Sequence, residues 1–334
     1  VRGAPNGAPG PGAPRRSHPA LRAAQYALAV AAVIFIAVAL ADSWDSVQAY
    51  DWTLRVEWLA ASAAAFLGFY VLQGYAWQLL LRAVGLHAPT LWAIASWSRS
   101  ILARYVPGNV FMIVGRVLAC QRRGLSARRV SAAMVYEQAL GFCAALVTLG
   151  LLLPFSEYRR GTVALSLIAI PVILALLHPR VFGPLADRLL ALARREPLGT
   201  VLGFGSVLRL LCYYVACWFV AGLGCWALVR GVTASGVGLL PVVTAAFALA
   251  YVAGMVAFVF PGGIGVREAV LAAALGGELG AGVALAWALL LRLWIIAVEL
   301  VFAGLATLAE RRKGAPPGVA DGEGEHAGPG VTEG

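Results

Sequence analysis

Pro261-Gly262-Gly263-Ile264-Gly265-Val266-Arg267-Glu268-Ala269 sets a proline, three glycines and two opposite charges inside an otherwise apolar region. A comparable passage lies 154 residues earlier, where Tyr105-Val106-Pro107-Gly108-Asn109 is followed by Gly115-Arg116. Proline and clustered glycine interrupt a helix, and charge is costly in hydrocarbon, so a chain carrying both twice is using them. The two passages read as broken-helix elements related by an internal repeat, an arrangement that marks binding sites in transporters.

Outward from these breaks the chain is membrane-like. Apolar residues make up 61% of it and charged residues 13%. A hydrocarbon core about 30 Å thick needs roughly 20 apolar helical residues. The stretches that meet this are Ala23–Ala41, Leu59–Leu81, Val130–Leu153, Gly161–Leu177, Ser206–Val229 and Ala281–Ala309. The first resembles a signal peptide, with Ala39-Leu40-Ala41 before Asp42, but its 19 residues exceed a signal core of about 7–15. It is therefore expected to stay as a transmembrane helix.

The net charge of +10 invites a nucleic-acid reading, but the charges sort by membrane side. With the N-terminus inside, sixteen Lys and Arg fall in inner loops and tails, four in outer loops and six within membrane segments. The positive-inside rule is thus satisfied, with both termini cytoplasmic and no nucleic-acid partner expected. This count requires each Pro-Gly region to return to the side it entered. Between Pro107-Gly108 and Cys120 the second arm has 12 residues, about 18 Å of helix, too short to cross alone. Leu239–Phe260 is long enough to span by itself, which makes the second hairpin the less constrained of the two. The expected fold is an all-α polytopic membrane protein. It has about six full transmembrane helices plus two re-entrant Pro-Gly helical hairpins in an inverted repeat. Residues 1–22 form a disordered tail, 23–309 the transmembrane domain with halves at about 23–153 and 161–309, and 310–334 a basic, then disordered tail. Val181–Arg195, amphipathic and flanked by basic residues, is expected to lie along the inner leaflet.

Charge within the membrane marks where function lies: Arg99, Arg104, Arg116, Glu137, Arg209, Arg267, Glu268, Arg292 and Glu299. Each costs roughly 2.5–3.5 kcal/mol at the centre of an isolated helix, so each is expected to face protein or water. Six arginines against three glutamates leave a positive surplus suited to an anionic group, and arginine's planar fork suits phosphate. Gly262, Gly263 and Gly265 permit close backbone approach, and the arm after Pro261 offers helix N-terminal N–H groups beside Arg267. Asn109 and Arg116 occupy the comparable arm after Pro107 and Gly108. The candidate head-group site is therefore Arg267, Arg116, Gly262, Gly263, Gly265, Asn109 and Arg292, with Glu268, Glu137 and Glu299 as charge partners. The structural alternative pairs Arg267 with Glu268, and Arg292 with Glu299 or Glu137, purely to lock helices.

Enzyme signatures are missing from the sequence. The four histidines lie in tails or loop boundaries, and Cys120, Cys143, Cys212, Cys217 and Cys225 show no metal-ligand spacing. Neither a catalytic residue nor a metal or other cofactor is expected. A lipid-linked-sugar enzyme would need its carboxylate from Glu137, Glu268 or Glu299.

The passage Pro261–Ala269 resembles the C-terminal signature of the lysylphosphatidylglycerol synthase transmembrane family, the flippase-like membrane region. Arg104-Tyr-Val-Pro-Gly-Asn109, Gly115-Arg116 and Arg122-Arg-Gly-Leu-Ser126 followed by Glu137 resemble the N-terminal signature of its standalone members, with Asn109 where a second glycine is common. The resemblance implies a bacterial cytoplasmic-membrane protein that moves or handles a phospholipid or polyprenyl-linked glycolipid. In fused members this region flips an aminoacylated lipid made by a soluble C-terminal domain. Here about 25 residues follow the last helix, so no aminoacyl transfer is expected. Two partner readings follow: an anionic membrane lipid as cargo, or an envelope glycosyltransferase docked by a non-transporting subunit. The oligomeric state is not fixed by the sequence.

Overall fold

Among the residues described in the computed structural model (34, 37–102, 110–152, 168, 170–192, 197, 199–234, 236, 238–257, 263 and 265–313) the regular structure is helical, with no strand. In chain order the helices are α1 (Trp44–Ala49), α2 (Val56–Ala83), α3 (Thr90–Leu102), α4 (Val110–Gln121) and α5 (Ala127–Leu152). They continue as α6 (Ile170–Leu177), α7 (Pro179–Leu192), α8 (Phe204–Val232), α9 (Leu239–Val256), α10 (Val266–Leu279) and α11 (Ala281–Arg312). Five of these, α2, α5, α8, α9 and α11, are long and apolar enough to cross a membrane. The 28 residues of α2 extend about 42 Å, more than a bilayer core requires. The chain is a polytopic helical membrane protein.

The expected spans Leu59–Leu81, Ser206–Val229 and Ala281–Ala309 fall inside α2, α8 and α11, and Val130–Leu153 is helical in α5 as far as Leu152. Gly161–Leu177 is described only from its C-terminal part, α6, which bends by 73° into α7. Helix α7 carries the segment expected on the membrane surface. Leu185, Leu189 and Leu192 are exposed along it while Phe182 and Ala186 are buried, so it packs on the core and presents leucines outward. Most of Ala23–Ala41 lies outside the described residues, as do both break tips: Pro107, Gly108 and Asn109 in the first, Pro261 and Gly262 in the second.

Helices α2 and α8 make the most extensive pairing. Small residues let them approach, because lipid offers no hydrophobic drive for helix association and close packing must supply it. Gly224 sits where a side chain would meet the Phe66 ring at 3.0 Å, and Gly231 where it would meet Leu59 at 2.7 Å. Ser62 donates its hydroxyl to the Gly224 carbonyl at 2.8 Å, which satisfies it in the buried seam. Gly222 on α8 faces Thr244 on α9 in the same way, with Thr244 Cβ only 2.7 Å from where a methyl would go. Gly222→Ala is expected to destabilise by about 1–3 kcal/mol through overpacking. Thr244→Ala should recover only part of that loss, because its Cβ remains in the way. An unchanged thermal midpoint for Gly222→Ala in detergent contradicts this packing.

Most of the remaining helix contacts come in exchanged pairs. Helix α3 packs on α2 and on α11; α9 packs on α8 and on α5. Helix α4 packs on α3 and α5; α10 packs on α9 and α11. Likewise α5 meets α8 and α11 meets α2. Swapping α2–α5 for α8–α11 maps each of these pairs onto another, with α2·α8 mapping onto itself. The short helices α4 and α10 and the long helices around them line one central region.

Candidate functional site

That region contains a cavity of about 410 Å³ to which each of the eight exchanged helices contributes a wall residue. Phe69, Tyr70 and Gln73 come from α2, Trp97 from α3, Trp218 from α8 and Tyr251 from α9. The volume lies within the range of about 300–1,000 Å³ typical of ligand pockets. Aromatic rings form much of the wall.

Arg116, Glu137, Arg267, Glu268, Arg292 and Glu299 all line this cavity. They come from sequence positions up to 183 residues apart and meet because α4, α5, α10 and α11 converge. Two other intramembrane arginines, Arg99 and Arg209, do not line it. Arg99 lies at the exposed end of α3 and pairs with Glu310 of α11 at 2.5 Å. Arg209 is exposed near the start of α8, its Nε donating to the Gly205 carbonyl at 3.3 Å. Arg104 lies outside the described residues. The expected surplus of three positive charges is therefore not seen on the described cavity wall. Arginines near helix ends can reach polar surroundings along their stems, and the described cavity wall holds three arginines against three glutamates.

The pairing is corrected. Glu137 takes Arg116, which donates through one guanidinium nitrogen to Oε2 and through Nε to Ser100 Oγ at 2.9 Å. The Arg116 guanidinium also lies over the Trp77 ring, 4.7 Å from its centroid. Trp97 Nε1 donates to the other Glu137 oxygen at 2.6 Å. Arg116 is only 2% exposed, so this cluster is a fully packed charge pair with its own donors. In the second half Glu268 faces Arg292 rather than its neighbour Arg267, at a looser 3.8 Å. Consecutive helical residues diverge by about 100°, which is why Arg267 and Glu268 address different neighbours. Glu299, 1% exposed, accepts a 2.6 Å bond from the Tyr70 hydroxyl.

Two short helices are thus each joined to the long helix that follows by an ion pair, Arg116–Glu137 from α4 to α5 and Glu268–Arg292 from α10 to α11. The signs are reversed between them. The α10 start is built as the glycines implied: Gly263 and Gly265 have φ of 69° and 86°, conformations that cost other residues. One expectation changes here. The Gly265 N–H, read as a donor for a ligand, is taken at 2.7 Å by Glu268 Oε2, a capping contact favoured at a helix N-terminus. Gly263 lines the cavity, whereas Gly262 and Asn109 fall outside the described residues.

Arg267 lies with its guanidinium carbon 5.1 Å from the Tyr251 ring centroid. Tyr251 is itself braced edge-on by Trp218, whose Nε1 bonds the Gly141 carbonyl at 3.2 Å. Sequence reading missed Tyr70, Trp97, Ser100 and Tyr251, since an isolated aromatic or serine in an apolar helix carries no signal. The 154-residue offset of the two breaks would have found one pair, because it aligns Trp97 with Tyr251. Among the described residues no group of three His, Cys, Asp or Glu could hold a metal.

The sequence model of one protein family, described as lysylphosphatidylglycerol synthase TM region, matches residues 23–303. Comparison with individually curated proteins gives no match. The matched range contains every charged residue of the cavity and both Pro-Gly passages, and the chain belongs to the lysylphosphatidylglycerol synthase TM region family.

Proposed function

We propose that this protein moves an anionic phospholipid or polyprenyl-linked lipid across the cytoplasmic membrane as a flippase-like transporter, not as an enzyme. The observation that supports the reading is the gathering of six charged residues on one cavity shared by both halves. Charge of this kind is expensive in lipid and is retained where a polar group must enter. In the proposed cycle the head group occupies the cavity while its acyl or prenyl tails stay in lipid. A phosphate draws on Arg267 and Arg292, competing with Glu268 for the latter. Arg116 stays with Glu137. The paired contacts of the two halves suit an inverted repeat whose two hairpins open to opposite sides, with both termini cytoplasmic.

Docking of an envelope glycosyltransferase by the basic Arg122–Arg129 loop draws less support. Arg123 stacks on Trp92 at 4.7 Å, and Arg129 bonds the Gly85 carbonyl at 3.4 Å. Two of that loop's arginines thus brace the protein's own helices. The test is leaflet-resolved transport of fluorescent phosphatidylglycerol and of a polyprenyl phosphate in proteoliposomes, with and without an imposed proton gradient. Flux of either lipid above protein-free vesicles is expected. Baseline flux for both lipids under both conditions overturns the proposal.

A further inference from the structure

The 154-residue offset of the two breaks aligns the helices that precede them, while the arginines that follow, Arg116 and Arg267, stand 151 residues apart, three residues out of that register. Trp97 and Ser100 on α3 correspond to Tyr251 and Gly254 on α9, each pair three residues apart and so on one helix face. In the first half the arginine of the second arm, Arg116, has its Nε bonded to Ser100. In the second half Arg267 has its Nε at Gly254, where an added Cβ would lie 2.5 Å from Nε, 2.8 Å from Cγ and 3.1 Å from Cδ. Gly263 closes the other side, with its own Cβ position 3.0 Å from Nε and 3.0 Å from Gly254 Cα. The Arg267 stem thus runs through a slot walled by two glycines, with the Tyr251 ring against its guanidinium.

We infer that Gly254 is a positioning residue for the head-group arginine. The absent side chain at 254 sets Arg267 against α9 at the cavity wall, whereas the serine at the matching position ties Arg116 into a structural ion pair. This deepens the proposed function and rests on it: Arg267 is the arm arginine that meets the lipid's phosphate, and Arg116 is its locked counterpart. The chemistry favours glycine at this point for a steric reason. Gly254 is an ordinary helical residue, and its Cβ would strike a flexible side chain rather than the backbone of another helix. Adding that Cβ therefore acts first on the Arg267 stem, down to its Cγ, and so moves the guanidinium.

The experiment compares Gly254→Ala, Gly254→Ser and Arg267→Gln in the proteoliposome assay, with thermal midpoints in detergent. Both Gly254 variants are expected to stay folded, with at most a modest fall in midpoint, and to lose flux by about tenfold or more, the scale of one charge-assisted contact. Each double variant with Arg267→Gln should lose no more than Arg267→Gln alone, since both act through one side chain. Tyr251→Leu, which adds nothing to the slot, supplies an independent route and is expected to raise the lipid concentration needed for half-maximal flux. Wild-type flux in Gly254→Ala beside a dead Arg267→Gln overturns the slot and leaves the transport reading standing. Wild-type flux in all three sinks the reading of Arg267 itself. Additive losses in the double variants assign Gly254 to packing and overturn the inference as well.

Discussion

Arg267→Gln is expected to abolish lipid flux in proteoliposomes while the protein stays folded. The argument begins with where the side chain sits. Arg267 lines the cavity and lies against the Tyr251 ring, in the half where the ion pair is the loose one, Glu268 to Arg292 at 3.8 Å. Glutamine keeps a polar tip of lesser reach and removes the charge and the fork geometry that suit a phosphate. A charge-assisted hydrogen bond contributes about 1.5–3 kcal/mol, which corresponds to roughly a ten- to hundredfold fall in flux per contact, and a bidentate contact loses two. The fold should tolerate the change because Glu268 keeps its bond to the Gly265 N–H and its approach to Arg292. Matched circular dichroism and thermal midpoints separate the two effects. Unchanged flux from a folded variant removes Arg267 from the mechanism and, with it, the proposed path of the head group.

Much of the site was legible because membranes make charge conspicuous. Arg116, Glu137, Arg267, Glu268, Arg292 and Glu299 stand out in apolar sequence, and the structure brings all six to one cavity. The spans were legible for the same reason: an unbroken run such as Ser206–Val229 has no stable alternative to a helix in lipid. Pairing was not legible. Whether Glu137 takes Arg116 or Arg292 depends on how α4 and α11 rotate about α5, and no local spacing encodes that. The charge balance differs on the described cavity wall for a related reason, since Arg99 and Arg209 count the same as Arg267 in composition but sit at exposed helix ends. Glycines gave a mixed reading. Those beside Pro261 announced a backbone break, whereas Gly222 and Gly254 look alike in sequence and act differently. One admits a neighbouring helix, the other admits an arginine.

Glu137→Ala is expected to be the most destabilising single change in the cavity, by about 3–5 kcal/mol. Arg116 is 2% exposed and bonded to Glu137, Ser100 and the face of Trp77, so removing the carboxylate leaves a buried guanidinium without its counter-charge. It also leaves the Trp97 N–H without its acceptor. The reverse truncation, Arg116→Met, should cost less. A stranded carboxylate can take up a proton, and Trp97 still donates to it, whereas a guanidinium keeps its charge in any environment. The double variant Arg116→Met/Glu137→Leu is expected to regain most of the loss, because replacing a buried pair by apolar groups of similar size is often close to neutral. Unfolding in detergent across this cycle measures the coupling, and a lone Glu137→Ala as stable as wild type contradicts the buried pair. The cycle also bears on function. If Arg116 serves only as the locked counterpart of Arg267, the refolded double variant should still carry lipid, and its loss of flux would place Arg116 beside the head group instead.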